Sequence, residues 1–298
     1  MVSDKESKNP RPRAKEKACD RAIKRTLAYS SVFNYPMSIF QLYTFLITRK
    51  GFEYDFFQKS LRRLVKSGKV KAKNGKYYLP GMRPVSWKLR SKYSKDLMKE
   101  TTVGVNLLKN VPWIKLIAVT GAVASRNAAK DDDIDIMIVT EKNRVWITRF
   151  FTFLILKIIG MYGHGKRDKK KFCCNLFLDE SAMRWGKGKQ NVYIAREFLS
   201  MHPLYNKNDT YLKCLEENSW ALKHFHNYKV EFPKKYVEKS LNKSKIVDAL
   251  ENVSRKMQLN YMKSKKTTEI TTKHLIHFNK NDHSKDILDE YKESLGKI

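Results

Sequence analysis

Two apolar runs separated by a short polar segment constrain the fold of this 298-residue chain most strongly. The first run, Trp113 to Val119, ends just before Gly121, and the second, Ile134 to Val139, follows Asp133 and contains Asp135. Short apolar runs rich in Ile and Val are typical of buried strands. Residues two apart in a strand point to the same face, so we expect Asp133 and Asp135 to project together, about 6–7 Å apart along the strand.

The carboxylate pair and the glycine before it suggest a site for a metal ion and a phosphate. Mg²⁺ binds a few protein carboxylates together with substrate phosphates, which suits Asp133 and Asp135. Gly121 permits a close backbone approach, and the N–H groups that open the following helix favour an anion. Ser125 and Arg126 come one turn later and can contact phosphate oxygens, Arg126 as a charged donor. The alternative is that both side chains are simply exposed on the helix.

The order of these residues resembles the signature of the DNA polymerase beta-like nucleotidyltransferase superfamily. That signature is Gly-Ser or Gly-Gly, a spacer, and then Asp-x-Asp in an apolar strand; here Gly121-Ala122 is followed after ten residues by Asp133-Ile134-Asp135. The resemblance implies a nucleotidyltransferase that uses Mg²⁺ or Mn²⁺ and an NTP, with Asp133 and Asp135 on the metal. Ala122 stands where the family usually has Ser or Gly, and it retains the backbone N–H but lacks a hydroxyl.

A third predicted strand, Phe172 to Leu178, departs from the family pattern. In the superfamily a third carboxylate usually comes from this strand, but its middle polar residue here is Asn175, and Asp179 and Glu180 lie at its end. An asparagine oxygen can bind a metal ion but cannot accept a proton. We therefore expect Asn175 beside the two aspartates. The acceptor is then deprotonated by another group or is already acidic, or the activity is lost.

The N-terminal part of the chain predicts three helices and a hairpin. Ser38 is placed to cap the second helix, the third spans about Asp55 to Ser67, and Asn74-Gly75 between short β runs predicts a hairpin turn. This order resembles a winged helix-turn-helix domain. In a nucleic-acid-binding winged helix the basic face of the third helix enters a major groove. The residues of that face are Lys59, Arg62, Arg63 and Lys66. The alternative is a solvated helix face on a protein-interaction module.

Together these patterns predict an α+β protein with an N-terminal winged helix, a central mixed-sheet nucleotidyltransferase core and a helical C-terminal region. The expected boundaries are a flexible basic arm over 1–16, the winged-helix-like domain over 17–81, a linker helix over 82–112, the core over 113–202 and the helical region over 203–298.

Composition limits the partners and the compartment. Lys and Arg number 61 against 30 Asp and Glu, a net charge of +31, which favours phosphate-bearing partners or merely keeps the protein soluble. The four cysteines form no Cys-x-x-Cys pair, so we expect neither a zinc site nor a disulfide framework, and a reducing cytoplasm. The most apolar predicted helix, Val145 to Tyr162, is interrupted by Arg149 and Lys157, so we expect no membrane span.

Two functions follow from these observations. The first is a Mg²⁺-dependent nucleotidyltransferase that moves a nucleoside monophosphate from an NTP to an acceptor hydroxyl and releases pyrophosphate. The second is a winged-helix regulator that binds nucleic acid and whose transferase-like domain senses nucleotide without turning it over.

Overall fold

The computed structural model describes residues 10–163, 169–236, 244–263, 270–277 and 284–298. They divide into two compact units, one formed by the described residues up to 85 with 222–230 and 286–298, the other by 86–221 and the described part of 231–285. Ten α-helices and nine strands lie within the described ranges, in agreement with an α+β class. None of these helices combines the length and the apolar character needed to cross a membrane.

The first unit begins with three helices and a small antiparallel sheet in the order β1-β3-β2. Its elements are α1 (Pro10–Val32), β1 (Met37–Ser38), α2 (Ile39–Thr44), α3 (Tyr54–Lys66), β2 (Lys71–Lys73) and β3 (Lys76–Tyr78). The expected cap is present, because the Ser38 hydroxyl accepts from the Gln41 N–H while the Gln41 side chain accepts from the Ser38 N–H. Asn74 and Gly75 both have positive φ, at 51° and 70°, as a tight hairpin requires.

Helix α1 corrects the predicted flexible arm over 1–16. The helix starts at Pro10, so residues 10–16 are helical, whereas residues 1–9 lie outside the described part of the chain. Proline fits the first helical turn because its missing N–H has no helical partner there. Glu16 and Asp20 then pair with Arg63 of α3 at 3.4 and 2.9 Å, which holds this part of α1 against α3.

The second unit is built on a six-stranded sheet in the order β7-β4-β5-β6-β9-β8, in which β5 and β6 are parallel and the other neighbours antiparallel. Its elements are α4 (Trp87–Leu108), β4 (Ile114–Val119), α5 (Gly121–Ala124), β5 (Ile134–Thr140), α6 (Val145–Ile158), β6 (Phe172–Asp179), α7 (Val192–Ser200), β7 (His202–Asn206), α8 (Thr210–Glu217), α9 (Lys245–Met262), β8 (Ile270–Thr271) and β9 (Leu275–His277). The last helix, α10 (Ser284–Gly296), belongs to the first unit from residue 286 onward.

Strands β7, β8 and β9 correct the prediction of a helical region over 203–298. Strand β7 pairs with β4, and β9 pairs with β6, so the sheet extends beyond the predicted core over 113–202 on both sides. Every residue of β4 is buried, and its backbone N–H and C=O groups therefore need partners on both sides. Strands of two to five residues carry too little alternation to be recognised from sequence.

Helix α4 packs tightly on the sheet at Gly104. A Cβ atom at this position would lie 2.7 Å from the Phe172 ring of β6. Phe172 is fully buried and belongs to the main hydrophobic core of this unit. The glycine therefore permits a close helix–strand contact.

We predict that Gly104→Ala lowers stability. Glycine in a helix interior costs about 0.5–1 kcal/mol relative to alanine, so this change normally stabilises a helix. Here the added methyl overlaps the Phe172 ring, and overpacking costs about 1–3 kcal/mol, so we expect a lower midpoint in thermal unfolding. Thr102→Ala, at an exposed position of the same helix, is the control and should not lower the midpoint. An unchanged or higher midpoint for Gly104→Ala would contradict this packing.

Candidate metal centre

Four polar side chains come together where β5 and β6 run parallel. Asp133 directly precedes β5, Asp135 is its second residue, and Cys173 of β6 is the register partner of Asp135. The register then shifts by one residue, the mark of a β-bulge, and Asn175 lies at this shift. Asn175 Nδ2 donates to Asp135 Oδ1 at 2.8 Å. The residues that alternate with them along the two strands, Ile134, Ile136 and Cys174, lie in the hydrophobic core.

The ligand atoms of Asp133, Asp135 and Cys173 lie within 4.8 Å of one another. The structure therefore brings together the two aspartates that the sequence predicted, with Asn175 beside them. It also adds Cys173, whose thiol the sequence reasoning did not assign to the site. Cys-x-Asn on one strand and Asp-x-Asp on another indicate a shared site only when the two strands are known to pair in this register.

Gly121 occupies a position that strongly favours glycine. It follows β4 by two residues, has a φ of 64°, and a Cβ atom there would lie 2.6 Å from Asp135 Oδ2. Its N–H, which was expected to bind phosphate, donates to Glu197 Oε2 at 3.2 Å. The backbone at Gly121 therefore touches two carboxylates, one from β5 and one from α7.

Glu197 is a third acidic residue of this site, and the sequence reasoning missed it. It lies on α7, 76 residues beyond Gly121 in the chain, among the buried residues Ala195, Phe198 and Leu199. An acidic residue next to an apolar helix face is a weak signal, since most such residues are solvated. Only the pairing of β7 with β4 places α7 over the site.

A cavity of about 380 Å³ adjoins these groups and lies wholly within the second unit. Gly121, Asp135, Asn175 and Glu197 are among the residues that line it. The aromatic residues that line it are Trp185, Tyr193 and Phe198. The wall is therefore mixed in polarity, and the volume lies within the range of about 300–1,000 Å³ that is typical of small-molecule sites.

The other residues predicted to bind nucleotide lie apart from the cavity. Helix α5 is a single turn, and Arg126, with a φ of 58°, lies just beyond its end. Ser125 is the C-cap of α5, at the opposite end of this helix from Gly121. The Arg126 side chain is exposed. Ala122 is partly buried against the core. Ala122, Ser125 and Arg126 are absent from the described residues that line the cavity, because the helix turns away after one turn.

The four basic residues of α3 lie in the first unit and are exposed. Arg63 is engaged within the protein, since its guanidinium pairs with Asp20 and Glu16 and contacts the Ser60 hydroxyl. Lys59, Arg62 and Lys66 make no ion pair with any residue in the described ranges. Three of the four predicted residues are therefore available to a partner.

Negative charge accumulates at the centre. Burial, together with the neighbouring Asp133 and Glu197 carboxylates, raises the pKa of Asp135 to about 7, although the hydrogen bond from Asn175 opposes this shift. Burial also raises the pKa of Glu197. A divalent cation would relieve this repulsion, because it is the largest local charge wherever it binds.

The donor atoms fit a cation, but not all of them fit Mg²⁺. The Asp133 and Asp135 carboxylates are the oxygen ligands that Mg²⁺ and Mn²⁺ prefer. The Cys173 sulfur is a soft donor, which those ions use poorly. The centre therefore combines an oxygen pair that suits Mg²⁺ with a third donor that suits a softer ion.

Comparisons of the chain with protein-family models, with curated proteins and with solved structures return no match. The function is therefore inferred from the geometry and the chemistry of the site.

We predict that Asp135→Asn stabilises the metal-free protein at high pH. The pKa of Asp135 is about 7 in the folded state against the ordinary 3.8, so the folded state binds the proton more tightly and loses stability as pH rises between these values. The variant has no charge to bury, so above pH 7 it should exceed the wild type by about 1–4 kcal/mol, at about 1.4 kcal/mol per pKa unit. The measurement is urea unfolding in chelator from pH 4 to pH 8.

Asp131→Asn is the matched control. Asp131 is exposed and pairs with Lys169 at 2.9 Å, which lowers its pKa, so its carboxylate favours the folded state above the ordinary pKa. Its replacement should give no gain at pH 8. A gain for Asp135→Asn that is independent of pH, or absent at pH 8, would contradict the assignment of a pKa raised by burial and by the neighbouring carboxylates.

Proposed function

We propose that the protein is a metal-dependent nucleotidyltransferase that moves a nucleoside monophosphate from an NTP to an acceptor hydroxyl and releases pyrophosphate. The observation that carries the proposal is the close approach of the Asp135 carboxylate to Gly121, both of which line a cavity of about 380 Å³, with an oxygen of Asp133 within 4.8 Å of one of Asp135. A positive-φ glycine next to an Asp-x-Asp pair is the arrangement that the resemblance to DNA polymerase beta-like enzymes implies. The sheet is mixed, because β5 is antiparallel to β4 and parallel to β6. Such a sheet is compatible with a nucleotidyltransferase core.

In this proposal Asp133 and Asp135 bind the cation, Mg²⁺ or Mn²⁺, which when bound neutralises phosphate charge and polarises the reacting oxygens. Gly121 offers a backbone N–H at the same place. A phosphate oxygen would compete with Glu197 Oε2 for this N–H, which is now 3.2 Å from that carboxylate oxygen. Nucleotide binding and the position of the Glu197 carboxylate are therefore coupled.

Glu197 is our candidate for the proton acceptor, because Asn175 cannot take a proton. Its carboxylate lines the cavity, and a pKa raised by burial makes it a better base than an exposed glutamate. The acceptor oxygen would attack the α-phosphorus, the bond from that phosphorus to the bridging oxygen would break, and pyrophosphate would leave. The hydroxyl proton would pass to Glu197.

We predict that Asp133→Asn and Asp135→Asn abolish metal-dependent NTP binding and lower turnover by at least about 100-fold, as expected when a group that stabilises transition-state charge is removed. Glu197→Gln should retain metal-dependent binding and lose turnover, because the amide cannot accept the proton. The measurements are calorimetric titration of each NTP with and without Mg²⁺ or Mn²⁺, and pyrophosphate release with small-molecule, protein and RNA acceptors.

Asp131→Asn removes an exposed aspartate two residues before Asp133 and is the control, with unchanged binding and turnover. Metal-dependent NTP binding at wild-type affinity in both Asp133→Asn and Asp135→Asn would rule out the proposed roles of the pair.

A second candidate function is nucleic-acid binding by the first unit. The observation that favours it is the exposed basic face of α3, where Lys59, Arg62 and Lys66 have no acidic partner in the described ranges, in a chain of net charge +31. The order of three helices and a hairpin suits a winged helix, with α3 as the helix that enters a groove. In this alternative the second unit senses nucleotide without turnover. The four cysteines are free, which suits the cytoplasm that we propose for either function.

We predict that replacing Lys59, Arg62 and Lys66 together by glutamine weakens binding to duplex DNA. Each lost phosphate contact should lower the slope of log affinity against log salt by about 0.9, so the slope should fall by up to about three. The measurement is fluorescence anisotropy over a series of salt concentrations.

The matched control replaces Lys99, Lys130 and Lys142, three exposed lysines of the second unit, and so makes the same change in net charge. An equal loss of slope in both triple variants would show that the binding is spread over the surface and would refute a specific role of α3.

A further inference from the structure

We infer that the metal centre includes the Cys173 thiolate and takes a Zn²⁺-class cation in preference to Mg²⁺. This inference rests on one premise of the proposed function, that Asp133 and Asp135 hold a cation. It names a third ligand and a different class of metal for the same centre.

The distances permit one ion to contact all three side chains. Their ligand atoms lie within 4.8 Å of one another. At a tetrahedral ion with a Zn–S bond of about 2.3 Å and Zn–O bonds of about 2.0–2.2 Å, the ligand atoms lie about 3.3–3.7 Å apart. A pair of ligand atoms at the 4.8 Å limit would have to approach by about 1–1.5 Å, a movement that side-chain rotation can supply.

The position of Cys173 in the sheet is a separate observation that points to the same role. Cys173 and Asp135 are register partners on adjacent parallel strands, so the thiol faces the same side of the sheet as the carboxylate. The neighbouring Cys174 points the other way into the core, and Cys19 and Cys214 are also buried. Cys173 is the one cysteine of the four that is partly exposed, and it is exposed at the centre.

The chemistry of the donor set selects the metal. Two carboxylate oxygens alone would favour Mg²⁺ or Mn²⁺, but a thiolate favours Zn²⁺ and related ions. Binding replaces the thiol proton by the metal ion and releases that proton to solvent. Three protein ligands leave a fourth tetrahedral position for a water or a substrate oxygen, the pattern of zinc centres that act on substrates.

Asn175 positions the centre in this scheme. Its Nδ2 holds Asp135 Oδ1 at 2.8 Å, which leaves Asp135 Oδ2 as the free oxygen. Oδ2 is also the atom that approaches Gly121, so both the amide and the glycine set the orientation of the carboxylate. An asparagine at this place therefore orients a ligand without adding a fourth negative charge.

The test is a titration of the metal-free, full-length protein with Co²⁺, a spectroscopic substitute for Zn²⁺. We expect a thiolate-to-Co²⁺ charge-transfer band in the near ultraviolet that saturates at one equivalent, and that Zn²⁺ abolishes but an excess of Mg²⁺ does not. Cys173→Ser should lose the band and bind Zn²⁺ at least about 10–100-fold more weakly. Cys214→Ser, which replaces a cysteine of the same unit away from the centre, should retain the band.

A second measurement does not depend on the variant folding. Zn²⁺ should protect Cys173 of the wild-type protein from alkylation, as followed by mass spectrometry of its peptide. The absence of a thiolate band in the wild type, a band retained by folded Cys173→Ser, or alkylation of Cys173 at the same rate with and without Zn²⁺ would each overturn the inference.

The two proposals can fail separately. Transfer activity that requires Mg²⁺ and Asp133, with no thiolate band, would overturn the role of Cys173 and leave the nucleotidyltransferase in place. A Cys173-dependent band with no turnover of any NTP in Zn²⁺, Mn²⁺ or Mg²⁺ would support the metal centre and overturn the proposed reaction.

Discussion

The close approach of the Gly121 backbone to the Asp135 carboxylate is the contact on which the rest of the second unit depends. A Cβ atom at Gly121 would lie 2.6 Å from Asp135 Oδ2, and residues other than glycine rarely adopt the φ of 64° found here. The same backbone unit donates to Glu197, so one residue connects the end of β4 with β5 and α7. The cavity wall, the Asp135 carboxylate and the candidate base Glu197 therefore meet at a single glycine.

The candidate metal centre is a cluster of acidic residues in a chain that is otherwise strongly basic. Asp133, Asp135 and Glu197 repel one another, and the raised pKa of Asp135 shows the cost of holding this charge in a partly buried place. Such a cost is reasonable where a cation is to be bound, because the ion converts the repulsion into attraction. Asn175 in place of a further carboxylate limits the charge, and Cys173 changes the kind of ion that the donor set favours.

Much of the local structure could be predicted from sequence because it depends on short-range signals. Strand β5 matches the predicted apolar run, the Ser38 cap and the Asn74-Gly75 hairpin are present, and helix α3 differs from its predicted bounds by one residue at each end. The prediction of a flexible arm was wrong over residues 10–16, and the prediction of a helical C-terminal region was wrong at β7, β8 and β9. Proline can begin a helix as well as end one, as Pro10 does in α1. Strands as short as β8 and β9 show no recognisable alternation in sequence and are identified only by the strands they pair with.

By itself, the sequence determined that Asp133 and Asp135 share a face, because the alternation of a strand is a local property of the backbone. It also determined the glycine that precedes them and the basic face of α3. Only the tertiary structure decided that Cys173 stands opposite Asp135, that Asn175 donates a hydrogen bond to Asp135, and that Glu197 reaches Gly121 from 76 residues away. These placements depend on strand register and on helix packing, which are set by the burial of the whole core rather than by the residues that they bring together.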